Sequence, residues 1–277
     1  MRPSTTNSFG TAKTAGRSFV QSRAFEYLSR AGFVARALIY GIIGVLAFKL
    51  ALGHGGKLTN QQGALHTVAH QSFGKALLTL VAIGLGGYSL WRLVRAAIGH
   101  GPEGTDSGFD RVAALASGIV YSGMCALAVE ILLGAGGGST GNAKKQTAGV
   151  FSWPAGTWIV GLAGAVLIGV ALYQGYRGIS KKFLDDSKTG EMGPRVKEWI
   201  SLLGTIGHLA RMIVFALIGI FLIKAAVDYN PSAAVGLDGA LAKILHRSYG
   251  PLALGIVAAG LVAFALYSLT DARYRKI

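Results

Sequence analysis

The stretch GHLARMIVFALIGIFLIKAAV, from Gly207 to Val227, repeats the stretch GFVARALIYGIIGVLAFKLAL, from Gly32 to Leu52, at an offset of 175 residues. Gly, Ala, Arg, an aromatic residue, Gly and Lys return at the same places in both stretches. Each stretch is as long as the roughly 20 mostly apolar residues that a helix needs to cross a bilayer. A recurring apolar segment of this length predicts a repeated membrane-spanning helix.

The composition agrees with a membrane protein rather than a soluble one. The 277-residue chain is 52% hydrophobic and 14% charged, whereas soluble domains carry about 25% charged residues. Gly is abundant, as is common in membrane helices. The fold class we predict is an all-α membrane protein with six transmembrane helices, over the apolar runs 33–53, 74–98, 112–134, 155–176, 206–227 and 250–270.

The segments between the helices repeat as well. The segment GALHTVAHQSFG, from Gly63 to Gly74, matches GALAKILHRSYG, from Gly239 to Gly250, at an offset of 176 residues. A third and more divergent copy lies between them, because Tyr40 maps to Tyr121 and Gly74 maps to Gly156.

The chain therefore divides into three tandem units of two helices each. Units with an even number of spans keep the same orientation, so we expect pseudo-threefold symmetry about an axis along the membrane normal. The predicted boundaries are 23–98 for repeat 1, 104–180 for repeat 2 and 196–272 for repeat 3, preceded by a disordered cytoplasmic segment at 1–22.

The repeated motif is Gly-[Phe/His]-x-Ala-Arg, followed by an aromatic residue four positions after the Arg and then by Gly. It occurs at Gly32–Gly44 and Gly207–Gly219. This pattern, present in a chain of three two-helix units, resembles the bacterial membrane family called domain of unknown function 1206, over roughly residues 23–272. The resemblance implies the fold and the membrane location and brings no activity. The middle copy departs from the motif, with Ala113, Ser117 and Cys125 in place of Gly, Arg and Gly.

The distribution of Lys and Arg predicts the orientation. With the N-terminus placed in the cytoplasm, the cytoplasmic segments carry 19 of these residues and the opposite segments carry 8, which is the positive-inside bias. We expect a multi-pass protein of the bacterial cytoplasmic (inner) membrane with both termini cytoplasmic. The bias also accounts for the formal net charge of +15, so the lipid bilayer, and no nucleic acid, is the expected partner.

Three charges occupy equivalent places late in the first helix of each repeat. They stand nine residues after the repeat aromatics Tyr40, Tyr121 and Phe215, and they are Lys49, Glu130 and Lys224. One interpretation is three separate interfacial charges. The other is an axial ring, in which Glu130 faces the bundle interior within reach of one of the two lysines, because a carboxylate exposed to lipid is costly.

Further charges lie near the predicted cytoplasmic ends of the helices. Arg36 and Arg211 stand four residues before the repeat aromatics of their first helices, and Arg95, Arg177 and Asp271 occupy one equivalent position in the three second helices. At these ends, long side chains are expected to snorkel toward headgroups and water.

The sequence contains no motif that predicts catalysis, and we expect neither an enzyme nor a cofactor. The single cysteine, Cys125, excludes an intramolecular disulfide and is expected to act as a small apolar residue. His66 and His70 are spaced for one helix face, but repeat 3 keeps His246 at the second position only and has Ala242 at the first, so we expect structural histidines and no metal.

Three function classes remain open at this stage. The first is a transporter or channel for a small solute, in particular an anion, along the pseudo-threefold axis. The second is a non-transporting membrane subunit or scaffold that packs against a membrane protein partner, and the third is a His-based haem or metal protein.

Overall fold

The computed structural model describes residues 23–54, 58–98, 108–134 and 143–276. The predicted disordered segment at 1–22 lies outside these residues. The nine α-helices of the described part are Arg23–Ala51 (α1), Gln61–Ala69 (α2), Gly74–Ile98 (α3), Gly108–Leu132 (α4), Ala143–Phe151 (α5), Gly156–Ile179 (α6), Pro194–Val227 (α7), Leu237–Leu245 (α8) and Gly250–Tyr274 (α9). Short 3-10 turns lie at Lys182–Leu184, Thr189–Glu191 and Pro231–Ala233.

Six of these helices, α1, α3, α4, α6, α7 and α9, are long and apolar enough to cross a bilayer. The chain is thus an all-α multi-pass membrane protein, as the sequence predicts. The short helices α2, α5 and α8 each connect the two spans of one repeat. We call the end that holds them the hairpin end, and the opposite end, where α1 begins and α9 ends, the arginine end.

Each hairpin contains the same close approach between its short helix and its second span. The second spans begin at Gly74, Gly156 and Gly250. A Cβ atom at any of these glycines would collide with a backbone carbonyl oxygen at the end of the preceding short helix. The requirement for glycine at three equivalent positions explains why this residue survives in the divergent middle copy.

The spanning helices follow one another in chain order around the bundle, except that α4 and α6 hardly touch, and neighbouring repeats pack closely. The contacts run between α3 and α4, α6 and α7, and α9 and α1. Small residues allow the approach at equivalent places: an added Cβ at Gly44 would lie 3.0 Å from the Ala258 oxygen, and one at Gly219 would lie 2.8 Å from the Gly164 oxygen. In the third interface the Cys125 thiol donates to the Ala82 carbonyl at 3.3 Å, so this cysteine does fill a small-residue position.

The two helices within a repeat pack together in repeats 1 and 3 but hardly touch in repeat 2. In repeat 1, Gly32 lies against Gly84, where an added Cβ would be 2.7 Å from the carbonyl oxygen. The middle repeat has Ala113 and Val166 at these two positions, and Val166 is 55% exposed. Loss of both glycines removes the close approach, and we call the resulting gap between α4 and α6 the seam.

The hydrophobic core is correspondingly asymmetric and lies mainly between repeats 1 and 3. Buried residues of α1, α3 and α9, including Ile43, Leu85, Leu254, Leu261 and Phe264, fill the interior between repeats 1 and 3. The helices beside the seam are far less buried. Within the most apolar 18-residue stretch of each helix, 22% is buried in α4 and α6, against 56% in α1 and α9.

Candidate functional site

Two of the three equivalent charges at the ends of the second helices contact one aspartate, and the third joins it through Arg275. Asp186 lies in the loop between α6 and α7, and its carboxylate accepts from Arg177 and lies 3.9 Å from Arg95. It also accepts from Arg275 at 2.8 Å, and Arg275 in turn contacts Asp271 at 3.5 Å. Charges from all three repeats therefore converge on a single network at the arginine end.

Burial raises the pKa of the Asp186 carboxyl, but the guanidinium groups of Arg275, Arg177 and Arg95 outweigh this effect and hold that pKa well below its ordinary value. The carboxylate consequently stays ionised at neutral pH, and it neutralises part of the positive charge around it.

Each guanidinium nitrogen of Arg36 has a hydrogen-bond partner inside the bundle. Its Nη2 donates to Asp271 at 2.7 Å, its Nε to the Ser268 hydroxyl at 3.0 Å and its Nη1 to the Tyr88 hydroxyl at 3.0 Å. The guanidinium also lies over the Phe264 ring, 5.1 Å from its centroid. These contacts supply the charge partner and the hydrogen bonds that a buried ion requires.

The expectation that these end charges snorkel to water is wrong for three of them. Arg36, Arg95 and Asp271 are buried, with at most 9% of their surface exposed. A buried arginine that is paired with an acid inside the bundle does not need to reach solvent. The sequence feature that indicated this pairing is Asp271, which repeat 3 carries where the other repeats carry arginine.

The loop between α6 and α7 covers the arginine end, which sequence reasoning did not anticipate. Phe183 is fully buried and stacks on His208 with ring centroids 5.0 Å apart. An added Cβ at Gly204 would collide with the Phe183 ring, so this glycine makes room for it. The C-terminal residues hold the loop, because Lys188 N–H donates to the Tyr274 carbonyl and Lys276 N–H to that of Asp186.

Arg211 is related to Arg36 by the repeat but has different partners. Its guanidinium lies 4.4 Å from the Phe264 ring centroid and 4.9 Å from that of Phe215. The Gln174 amide oxygen, in the orientation that satisfies both groups, accepts from both Nη atoms at 3.1 and 3.2 Å. Nε is buried and meets no acceptor among the described residues.

Pseudo-symmetry explains why Arg211 has no counter-charge among the described residues. The helix beside Arg36 is α9, which supplies Ser268 and Asp271. The helix beside Arg211 is α6, and the positions equivalent to Ser268 and Asp271 are Gln174 and Arg177. The acid that neutralises Arg36 is thus replaced by a second cation, which itself pairs with Asp186.

The repeat aromatics converge on these two arginines. Tyr40 packs edge-on against Phe264 at 5.0 Å and lies 5.5 Å from the Arg211 guanidinium. Tyr121 packs edge-on against Tyr88 at 4.5 Å, and Phe215 lies beneath Arg211. All three therefore belong to the same central cluster.

The predicted ring of Lys49, Glu130 and Lys224 is not present. All three side chains are exposed; among the described residues Glu130 forms no ion pair with either lysine, and Lys224 contacts Asp228 at 3.2 Å instead. Each charge follows the arginine position of its helix by 13 residues, which is about 140° around an α-helix. Since Arg36 points inward, the three later charges face outward, so the interpretation as separate interfacial charges stays a prediction.

The described histidines that the sequence analysis singled out lie in or at the ends of short helices. His70 and His246 end the short helices α2 and α8, where their N–H groups bond to the carbonyls of His66 and Ala242. Within the described residues no group of three or more His, Cys, Asp or Glu is placed to hold a metal ion.

Comparison with known proteins supports the repeat. The family model described as Domain of Unknown Function (DUF1206) matches three times, at residues 31–99, 112–181 and 206–275. The chain is 33% identical over 252 residues to an "Uncharacterized protein YxxB" of Bacillus subtilis (strain 168), with 90% of each chain covered. No solved structure matches the chain.

Proposed function

Because the chain belongs to the DUF1206 family, whose description assigns no function, we propose a role from the site itself: the protein binds and transports a small anionic solute at Arg211. The observation that carries this proposal is that no carboxylate in the described part of the chain pairs with Arg211. Where Asp271 neutralises Arg36, the amide of Gln174 faces Arg211. A cation within a membrane span is costly unless it is paired, and such residues mark ligand and ion pathways.

The electrostatics around Arg211 favour an anion. Among the described residues, the connected cluster at the arginine end contains six arginines and two aspartates. These arginines are Arg36, Arg92, Arg95, Arg177, Arg211 and Arg275. The excess positive charge in a region of low dielectric attracts a negatively charged solute and repels a cation.

The interior is also accessible next to Arg211. Five equivalent positions on the inner face of α9 are all buried, namely Val257, Leu261, Phe264, Ser268 and Asp271. Their counterparts on α6 are exposed or half-buried, namely Ala163, Leu167, Val170, Gln174 and Arg177. The inner face of α7 is half-buried too at Arg211, Phe215 and Ile218. These exposures support an axial cleft that leads from the seam toward Arg211, which has no carboxylate partner among the described residues.

Binding of an anion can be tested by thermal stability in detergent. A ligand that binds the folded state raises Tm by mass action, so phosphate, sulfate and chloride are titrated at constant ionic strength. We expect a saturable rise for the wild type and none for Arg211→Gln. Gln174→Glu should place a carboxylate on Arg211, as Asp271 does on Arg36, and it should raise the resting Tm while abolishing the anion response. An unchanged anion response in both variants contradicts the proposal.

The matched control is Arg195→Gln, since Arg195 is exposed at the start of α7. It removes the same charge without touching the cleft and should retain the full response. Transport itself is tested by anion flux into liposomes, with Arg211→Gln as the inactive comparison.

The orientation proposed for this site places the arginine end in the bacterial cytoplasm. The support is the excess of Lys and Arg in the segments at that end. Single cysteines at Lys144 and Lys243, on a Cys125→Ala background, should react with an impermeant thiol reagent in intact cells. Reaction at Lys182 instead would reverse the orientation.

A non-transporting membrane subunit is the second candidate. It is favoured by the filled core between repeats 1 and 3 and by the exposed apolar side chains of the seam, including Val120 and Val166. Absence of flux in liposomes, together with an intact anion response, would select this candidate and make the anion a structural ligand. Neither candidate assigns a catalytic step.

A further inference from the structure

We infer that the ligand of Arg211 is an anionic lipid, which enters from the bilayer through the seam and places its acidic headgroup on the guanidinium and one acyl chain in the cleft. This inference rests on the proposed anion site at Arg211 and assigns the acidic group bound there to a lipid headgroup instead of a free solute. It follows from the shape of the cleft, the chemistry of its walls and the depth of the arginine.

The seam opens sideways between two spanning helices, toward the region that lipid chains occupy. On α6, Gly169 corresponds to Gly87 of repeat 1, which packs so closely on Leu28 that an added Cβ would collide with it. An added Cβ at Gly169 meets nothing within 4 Å. Val120 on the opposite wall is 60% exposed. The opening thus arises where the partner helix of the other repeats is missing.

The cleft is amphipathic along its length. Apolar side chains line it toward the hairpin end, including Met124, Leu167, Val170 and Ile218, all of which are half-buried. Polar groups lie at the other end, where Ser117, Gln174 and Arg211 stand at equivalent or adjoining positions. A free inorganic anion would use the polar end alone and would leave the apolar walls without a partner.

The dimensions fit one leaflet. From Gln174 to Ala163 the wall of α6 rises about 16 Å, close to half of the roughly 30 Å hydrocarbon core. Arg211 lies 16 residues before the end of α7 at Val227, which is about 24 Å from the hairpin end of that helix. The guanidinium is thereby placed just inside the boundary at the arginine end, within reach of a headgroup whose chain extends toward the bilayer midplane.

The loop that covers the arginine end supports entry from the side. Phe183 is fully buried beneath the loop, and Asp186 joins Arg95, Arg177 and Arg275 over the same region. A solute arriving along the axis from this end meets packed side chains, whereas a lipid arriving through the seam meets none of them.

The inference can be tested by native mass spectrometry of the purified, delipidated protein with defined lipids added to the detergent. The probes are dioleoylphosphatidylglycerol, dioleoylphosphatidylcholine with the same chains but no net charge, and inorganic phosphate. We expect one tightly bound phosphatidylglycerol per chain, bound at least 10-fold more tightly than phosphatidylcholine. Arg211→Gln should remove this selectivity, and Gly169→Trp should block binding at least 10-fold because the indole fills the seam.

Two matched controls separate blockage from misfolding. Gly149→Trp introduces the same side chain at another helical glycine whose added Cβ meets nothing within 4 Å, and Arg195→Gln removes an exposed charge. Both should bind the lipid as the wild type does. The Tm of Gly169→Trp without lipid should match that of Gly149→Trp, which shows that the variant folds.

The other outcomes each overturn the inference in a different way. If phosphate raises the Tm of both the wild type and Gly169→Trp, and no lipid binds selectively, the proposed anion site stands and the lipid inference is refuted. If Arg211→Gln binds the lipid as the wild type does, the lipid binds non-specifically around the bundle, and both the anion site at Arg211 and the lipid inference are refuted. Equal binding of the two lipids shows that the headgroup charge is not recognised, and a dimer that Gly169→Trp dissociates shows that a second copy occupies the seam.

Discussion

Replacing Asp271 by Asn removes a buried negative charge while preserving the shape of the side chain. Asp271 is 2% exposed and its Oδ2 lies 2.7 Å from Arg36 Nη2. Its Oδ1 lies 3.5 Å from Arg275 Nη1, but Arg275 keeps Asp186 as a partner. The variant therefore leaves one buried cation, Arg36, without a carboxylate. Breaking a buried pair in this way costs about 3–5 kcal/mol.

The assay is thermal unfolding in a mild detergent. With a Tm shift of about 2–4 °C per kcal/mol for a chain of this size class, Asp271→Asn should lower Tm by about 10 °C. The matched control is Asp185→Asn, because Asp185 is exposed and offers only its backbone carbonyl to Lys276. That control should stay within about 1 °C of the wild type, as surface substitutions usually do.

A double variant distinguishes the loss of the Arg36–Asp271 ion pair from the cost of leaving one buried charge without a partner. Replacing both members of a buried pair with apolar groups can be nearly neutral. Arg36→Leu with Asp271→Leu should therefore be more stable than Asp271→Asn alone. If Asp271→Asn unfolds at the temperature of the Asp185→Asn control, the buried network does not stabilise the bundle and our account of the arginine end is refuted.

Asp186→Asn should make the Tm less sensitive to acid pH. The folded-state pKa of Asp186 lies below its unfolded value, so the ionised carboxylate contributes to the free energy of unfolding above the unfolded pKa of about 3.9 and loses this contribution as pH falls through the folded value. The wild-type Tm should therefore drop more steeply than that of the variant between neutrality and pH 3. Gly156→Ala should destabilise the hairpin of repeat 2, because its Cβ meets the Val150 carbonyl oxygen, whereas Gly149→Ala should stabilise by up to about 1 kcal/mol through helix propensity; equal Tm values would contradict the close approach. Glu130→Gln should leave Tm unchanged, since Glu130 is exposed, and a large decrease would restore the axial ring that the structure lacks.

The sequence by itself determined the repeated hairpin. Apolar length fixes a spanning helix because unpaired backbone groups are excluded from lipid, and the motif around Arg36 and Arg211 recurs at a constant offset. Gly74, Gly156 and Gly250 recur because a backbone contact at each excludes any side chain. These are local constraints, and a linear pattern records local constraints directly.

The tertiary structure alone decided which charges meet. Lys49, Glu130 and Lys224 align in the sequence and yet face outward, because alignment fixes a position along the helix while packing fixes the face. Asp186 lies in a loop outside the repeat, so no periodicity could join it to Arg95 and Arg275. The seam likewise follows from the tertiary structure alone. The replacement of two glycines by Ala113 and Val166 has a consequence only because α4 and α6 would otherwise pack at these positions.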